Sequence, residues 1–364
     1  MRNAVAADFP TASEQMKQAW TRYNVRRTLW VCIAFLFVTV ALGVAMRWDQ
    51  TSGGLSVRGW SFANLRHAHS HAGFYGLLTL ASWATAPTQG HFHRWFVIGY
   101  ACCACVASVL FSMWGYGVST IVLSCCIAAA WMWASWQQRE GTTRNSWTAG
   151  SFIVLGSGVM LIPAIAFSAR HDIHFSRQLA HFFIAWLLLG VFVPSLWQSL
   201  GVIREVKLSW YFGAVAAGLI HVVFGASLPW WSGAGALISV VVLGRIVWRM
   251  KRGIFLRLLW TLLPASMLLS LVPHFQAEGW RIFGLHVWIL GVVLPSFAMS
   301  LQKRPQVSIA WLSYAISLLL MWGCMAIALV KPEAGLHSLV ALSSTLFAVV
   351  AVISGALFVK KWAA

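Results

Sequence analysis

RHAHSHAGFYGLLTLASWA, residues 66–84, sets His67, His69 and His71 at alternate positions directly ahead of an uncharged apolar run. The run has the character of a membrane helix, and the three imidazoles stand at its mouth. A hydrocarbon core about 30 Å thick takes roughly 20 apolar residues per helical span, and segments of this kind recur along the whole chain. Approximate spans are 28–48, 68–87, 94–112, 117–137, 149–168, 179–199, 209–226, 230–248, 255–274, 281–301, 308–330 and 338–359. Twelve spans with short loops predict an all-α polytopic membrane protein. A cytoplasmic arm over 1–27 would precede a single transmembrane domain over 28–364.

Composition agrees. Of 364 residues, 60% are hydrophobic and only 9% charged, with a mean hydropathy of +0.75. That excludes a soluble globular domain. The formal charge of +18 suits nucleic acid only until it is mapped. With the N-terminus inside, nineteen of the 26 lysines and arginines fall on the cytoplasmic side, as the positive-inside rule requires. The basic charge therefore reads as topology, both termini are expected in the cytoplasm, and nucleic acid is excluded as a partner. The first 27 residues are too long and too mixed in charge for a cleaved signal, so 28–48 is expected to remain as a helix. Thr11-Ala-Ser-Glu14 reads as a capping box opening a short interfacial helix ahead of it.

The seven cysteines all fall within spans, which argues against a disulfide framework. Cys102, Cys103 and Cys105 lie at the depth of Cys125 and Cys126, a soft donor set for Cu(I) or simply small residues at helix contacts. All eight acids, Asp49 and Glu278 among them, are assigned to loops or to the arm. A proton pump needs titratable relays through the membrane, so no pumping is expected. Several tryptophans, including Trp30, Trp60 and Trp280, stand at span ends as an interfacial belt does.

The histidines carry the functional signal. Ten of the twelve fall on the outer side or in the outer part of a span, and only His91 and His93 face the cytoplasm. Three even-numbered spans open alike, with an arginine followed by a histidine four or five residues deeper: Arg66 to His71, Arg177 to His181, and Arg281 to His286. At 1.5 Å per residue each imidazole sits about 6–8 Å below its arginine. The segments LGVFVPSLWQSL (189–200) and LGVVLPSFAMSL (290–301) repeat with an offset of 101 residues. Together these spacings predict three pseudo-repeats of four helices, the second helix of each bearing the imidazole. His221 joins the same layer from the seventh span.

Ionisable groups within a membrane are expensive and mark function, and imidazole ligates both transition metals and heme iron. Two imidazoles from facing helices can hold a planar macrocycle between them, and the arginines above suit anionic groups at its edge. His71 or His69 with His286 are the candidate heme ligands, His71 and His286 being the best pair, with Arg66 and Arg281 at the cofactor's edge. His67, His181 and His221 are candidates for a second metal or a distal pocket. Tyr75, one turn below His71, is the phenol positioned to donate into such a pocket.

A twelve-helix chain with outer histidines on helices 2, 6, 7 and 10 resembles the catalytic subunit of the heme–copper oxidase and nitric oxide reductase superfamily. His69-Ser-His71-Ala-Gly-Phe74-Tyr75-Gly76 is similar to the H-x-H-x-x-F-Y-G motif of nitric oxide reductases, which those proteins carry on helix 10. In size and order the chain resembles more closely the NnrS family of heme- and copper-containing membrane proteins, whose helix 2 opens on an H-A-H-type motif. His67-Ala-His69 or His69-Ser-His71 satisfies that pattern. Ala185 stands where the oxidases carry a tyrosine, Val222 follows His221 where they carry a second histidine, and His286 stands alone on its span.

The resemblance implies a heme protein of the bacterial inner membrane, with copper as a second metal. It would handle or respond to a diatomic gas such as nitric oxide or O₂ and draw on a respiratory electron donor. Two other readings compete: a copper or zinc permease, and an accessory protein for a respiratory oxidase or reductase. Transporters usually gather polar groups at the bilayer midplane, whereas these cluster near the outer face.

Overall fold

The computed structural model describes residues 12–52, 60–85, 94–140, 146–200, 208–228, 233–250, 254–301, 308–331 and 334–363. These are 94% helix with no strand, and they form rods that are numbered here in chain order. They are α1 (Ala12–Ser52), α2 (62–85), α3 (Arg94–Trp114), α4 (Val118–Glu140), α5 (Ser146–His171), α6 (Ile173–Ser199), α7 (Leu208–Phe224), α8 (Gly233–Trp248), α9 (Ile254–Leu269), α10 (Glu278–Leu301), α11 (Ile309–Val330) and α12 (Ala334–Ala363).

Seven of the described rods, α1, α3, α4, α6, α10, α11 and α12, contain a helix long and apolar enough to cross a membrane. Rod α2 has the length, but three histidines in its N-terminal half lower its apolar character. Rods α7, α8 and α9 are apolar but only 16 or 17 residues long.

The perimeter is greasy. Val118, Met160, Trp248, Ile254 and Ile309 are exposed, a surface suited to lipid. Cys102, Cys105, Cys125 and Cys126 are exposed as well. They lie on the outer skin of α3 and α4 rather than in a buried thiolate site, and all seven cysteines are free.

Each rod packs on the next in sequence, and α12 returns to pack along α1. The C-terminal segments of α2, α6 and α10, residues 79–85, 193–199 and 294–301, pack on one another pairwise. These three rods are therefore the inner ones. Ser82 of α2 and Ser195 of α6 share a hydrogen bond of 2.8 Å across that seam.

The inner rods have a second feature in common. Each passes from α-helix into a π-helical stretch and back, over Ala72–Leu78 in α2, Leu188–Phe192 in α6 and Val287–Val293 in α10. A π stretch disturbs the regular i−4 ladder and frees carbonyls, and buried carbonyls must find partners. Here a tyrosine of the following rod donates its hydroxyl in every case. Tyr100 of α3 reaches the Tyr75 carbonyl at 2.6 Å, Tyr211 of α7 reaches that of Leu189, and Tyr314 of α11 reaches that of Leu290 at 2.7 Å. The next residue is glycine each time, Gly76, Gly190 and Gly291. A Cβ there would overlap Phe35, Val154 or Trp322 respectively.

Three expectations from the sequence change. Thr11 lies outside the described residues, and among the described residues no separate interfacial helix precedes the first span. Residues 12–52 form one continuous helix, because nothing between the arm and the apolar run breaks it. Asp49 is not in a loop: it lies in the last turns of α1 and is 7% exposed. Glu278 is likewise the first residue of α10, and Glu14 and Glu140 lie in the first and last turns of α1 and α4, so acids do occur within the described helices, near their ends. His91 and His93 lie outside the described residues.

Candidate functional site

The site is assembled where α2 and α10 face each other beside α1. The rings of His69 and His286 have centroids 6.2 Å apart and planes within 18° of parallel. Nδ1 of His69 is 2.7 Å from the Thr39 carbonyl of α1, and Nδ1 of His286 is 2.8 Å from the Ile282 carbonyl one turn back on its own rod. A carbonyl only accepts, so each Nδ1 carries the proton and each Nε2 holds the lone pair. This is the arrangement that metal-binding imidazoles use, with the far nitrogen anchored by a backbone oxygen. Among the described residues neither Nε2 has a hydrogen-bond partner.

Rod α1 shapes the pocket with one face. Thr39, Gly43 and Arg47 follow at intervals of four, so they stack along one side of the helix. Thr39 supplies the carbonyl. Gly43 makes room, since a Cβ there would stand 3.1 Å from Cε1 of His69. Arg47 lies within electrostatic reach of both imidazoles and donates to Gln50 Oε1 at 3.1 Å. Sequence reasoning missed all three. Their spacing of four was the available signal, and it lacked meaning until α1 was known to pack on α2.

His71 does not join His286. Its ring stacks on Phe111 of α3 at 3.8 Å and lies 4.5 Å from Tyr75. Tyr116 reaches its Nε2 only at 3.4 Å. His67, four residues earlier, packs edge-on to Tyr116 at 4.6 Å. The reason is helical geometry: His67 and His71 share a face, and His69 is about 200° around the helix from either. Gly115, with φ +60°, makes the tight α3–α4 turn beside Asn64. That turn brings Tyr116 over the His67–His71 face. Tyr75 donates to Ser124 of α4 at 3.1 Å, so its hydroxyl serves that face too.

His221 is engaged in a hydrogen-bonded corner. Gln276 Nε2 donates to the Ser270 carbonyl at 2.8 Å and stands 3.4 Å from Nε2 of His221. His221 in turn bonds the backbone of Ser270. His181 has a buried Nδ1 with no partner among the described residues. Arg281 is buried at 8% exposed, while Arg66 is half-buried in the first turns of α2. No group of three or more His, Cys, Asp or Glu side chains forms a metal cage among the described residues.

Two imidazoles alone make a poor cage for a bare copper or zinc ion, which commonly takes three or four protein ligands. They suit a metal that brings its own equatorial donors, as heme iron does. Arg47 adds a positive charge beside the pair, suited to a carboxylate-bearing edge. The donor set therefore fits a heme. No protein-family model matches the chain, and no curated protein matches it.

Proposed function

We propose that this chain is a twelve-span protein of the bacterial inner membrane, built as three pseudo-repeats of four helices. In this reading it holds a heme between His69 and His286 near the outer face. The π stretches of α2, α6 and α10, each met by a tyrosine of the next rod and each followed by a glycine, support the repeat. The excess of lysine and arginine on one side supports cytoplasmic termini. This reading is in keeping with the resemblance to the NnrS family and the heme–copper superfamily.

The single observation that carries the heme reading is the His69–His286 pair. Its rings are nearly parallel, and both Nδ1 protons are tied to carbonyls. The Thr39 and Ile282 carbonyls fix the tautomer, Gly43 clears the ring's space, and Arg47 offers charge to the cofactor's edge. When bound, the heme would supply a one-electron iron couple and a centre that responds to nitric oxide or O₂. His221 is engaged by Gln276 and Ser270, so the proposal rests on heme and not on a paired copper.

The test is the absorption spectrum of the detergent-purified protein. The expected result is a Soret band with sharp α and β bands on reduction, lost or shifted in His69→Ala and in His286→Ala. Pigment-free protein from heme-replete cells, or a spectrum indifferent to both changes, overturns the reading.

A further inference from the structure

The outer ends of α6 and α10 are tied by an ion pair, with Arg177 Nη1 3.6 Å from Glu278 Oε2. His181 follows Arg177 by four residues and Arg281 follows Glu278 by three, so both side chains lie one turn deeper on the same helix faces. Two nitrogens there have no partner among the described residues: Nδ1 of His181 and Nε of Arg281. Arg281 is more than nine-tenths buried. Its Nη1 donates to the carbonyls of Gln276 at 2.6 Å and Val223 at 3.5 Å, which hold the guanidinium and leave Nε free.

The local charge is lopsided. Arg281, Arg66 and Arg177 all lie within electrostatic reach of His181, against Glu278 alone among the acids. Glu278 pairs with Arg177 and lies within electrostatic reach of Arg281 as well, so a single carboxylate stands against three arginines. A buried cation with an unmet donor, beside a second unmet ring nitrogen, is an incomplete arrangement that a small anion with two acceptor oxygens completes.

We propose that His181 and Arg281 form a binding site for a small monovalent oxyanion of the carboxylate class, reached from the outer face under the Arg177–Glu278 pair. The site uses neither His69 nor His286 and stands whether or not these hold a heme. The oxyanion comes either from solution or as the carboxylate edge of a bound cofactor.

The test uses the full chain in detergent. Sodium formate is titrated against sodium chloride at constant ionic strength, reading the unfolding temperature and, by calorimetry, the stoichiometry. Protein is prepared with and without heme precursor in the culture. A saturable stabilisation with one formate per chain in both preparations identifies a free anion. Stabilisation only in the heme-poor preparation identifies the cofactor's carboxylate as the occupant. In either case Arg281→Lys and His181→Gln weaken formate binding at least tenfold, while Lys331→Gln leaves it unchanged. Arg281→Lys keeps the charge and so guards against loss of folding. No saturable formate effect in either preparation overturns the proposal, as does an effect that both variants retain.

Discussion

His69 and His286 stand on different rods with ring centroids 6.2 Å apart, each holding its Nδ1 proton on a backbone carbonyl. The relationship separates His69 from its neighbours. His71→Ala is expected to leave a heme spectrum in place, because its ring packs on Phe111 and not toward α10. His69→Ala is expected to remove or shift that spectrum. Spectra of the two variants side by side decide it, and equal loss in both contradicts the assignment.

Gly43 bears on the same ring. A methyl group at 43 comes within 3.1 Å of Cε1 of His69, so the ring must give by a few tenths of an ångström. Gly43→Ala is expected to retain heme with a shifted Soret band. Gly43→Leu, which fills the ring's space, is expected to yield protein with little heme. Heme content per chain, measured by pyridine hemochrome, checks both.

The three tyrosine-to-carbonyl bonds are expected to matter in order of what each hydroxyl does. Tyr314→Phe strands one buried carbonyl, at a cost of about 1–3 kcal/mol. Tyr100→Phe is expected to cost more, because the same hydroxyl also accepts from Nε1 of Trp131 at 2.8 Å. Reversible unfolding in mixed micelles measures both, and equal stability in wild type and Tyr314→Phe speaks against the bond.

The glycines after those carbonyls are constrained by packing. Gly190→Ala drives a methyl group into Val154, and Gly291→Ala drives one into Trp322. Overpacking of this kind costs about 1–3 kcal/mol. Both variants are expected to unfold at lower temperature, whereas Gly244→Ala, with nothing within 4 Å, is expected to be neutral.

A cap is the simplest control on the frame. Asp172 accepts from the backbone N–H of His174 at 2.9 Å and of Phe175 at 3.0 Å, opening α6. Asp172→Ala is expected to lose about 1 kcal/mol, and Asp172→Asn much less.

Much of this was legible in the sequence. Apolar run lengths gave the helical class and its long apolar rods. The match of 189–200 with 290–301 already set Gly190 and Gly291 in register, and both turn out to lie in π stretches. The α2 stretch escaped notice because its segment lacks the Gly-to-Pro pattern of the other two. The sequence reading paired His71 with His286, whereas the structure turns His71 toward Phe111 and sets His69 beside His286. Spacing shows that His67 and His71 share a face, but which face meets α10 depends on the rotation of α2, set by packing against α1 and α3. The contribution of α1 was hidden for the same reason, since a backbone carbonyl and a glycine carry no chemical signature in sequence. Asp49 was misassigned because the apolar run stops before the helix does.

The most direct measurement is low-temperature electron paramagnetic resonance of the ferric protein. Two imidazoles on one iron give a low-spin heme signal, and His69→Ala or His286→Ala converts it to a high-spin signal near g 6 or removes it. A wild-type sample without heme iron, or one whose low-spin signal survives both substitutions unchanged, contradicts the His69–His286 assignment.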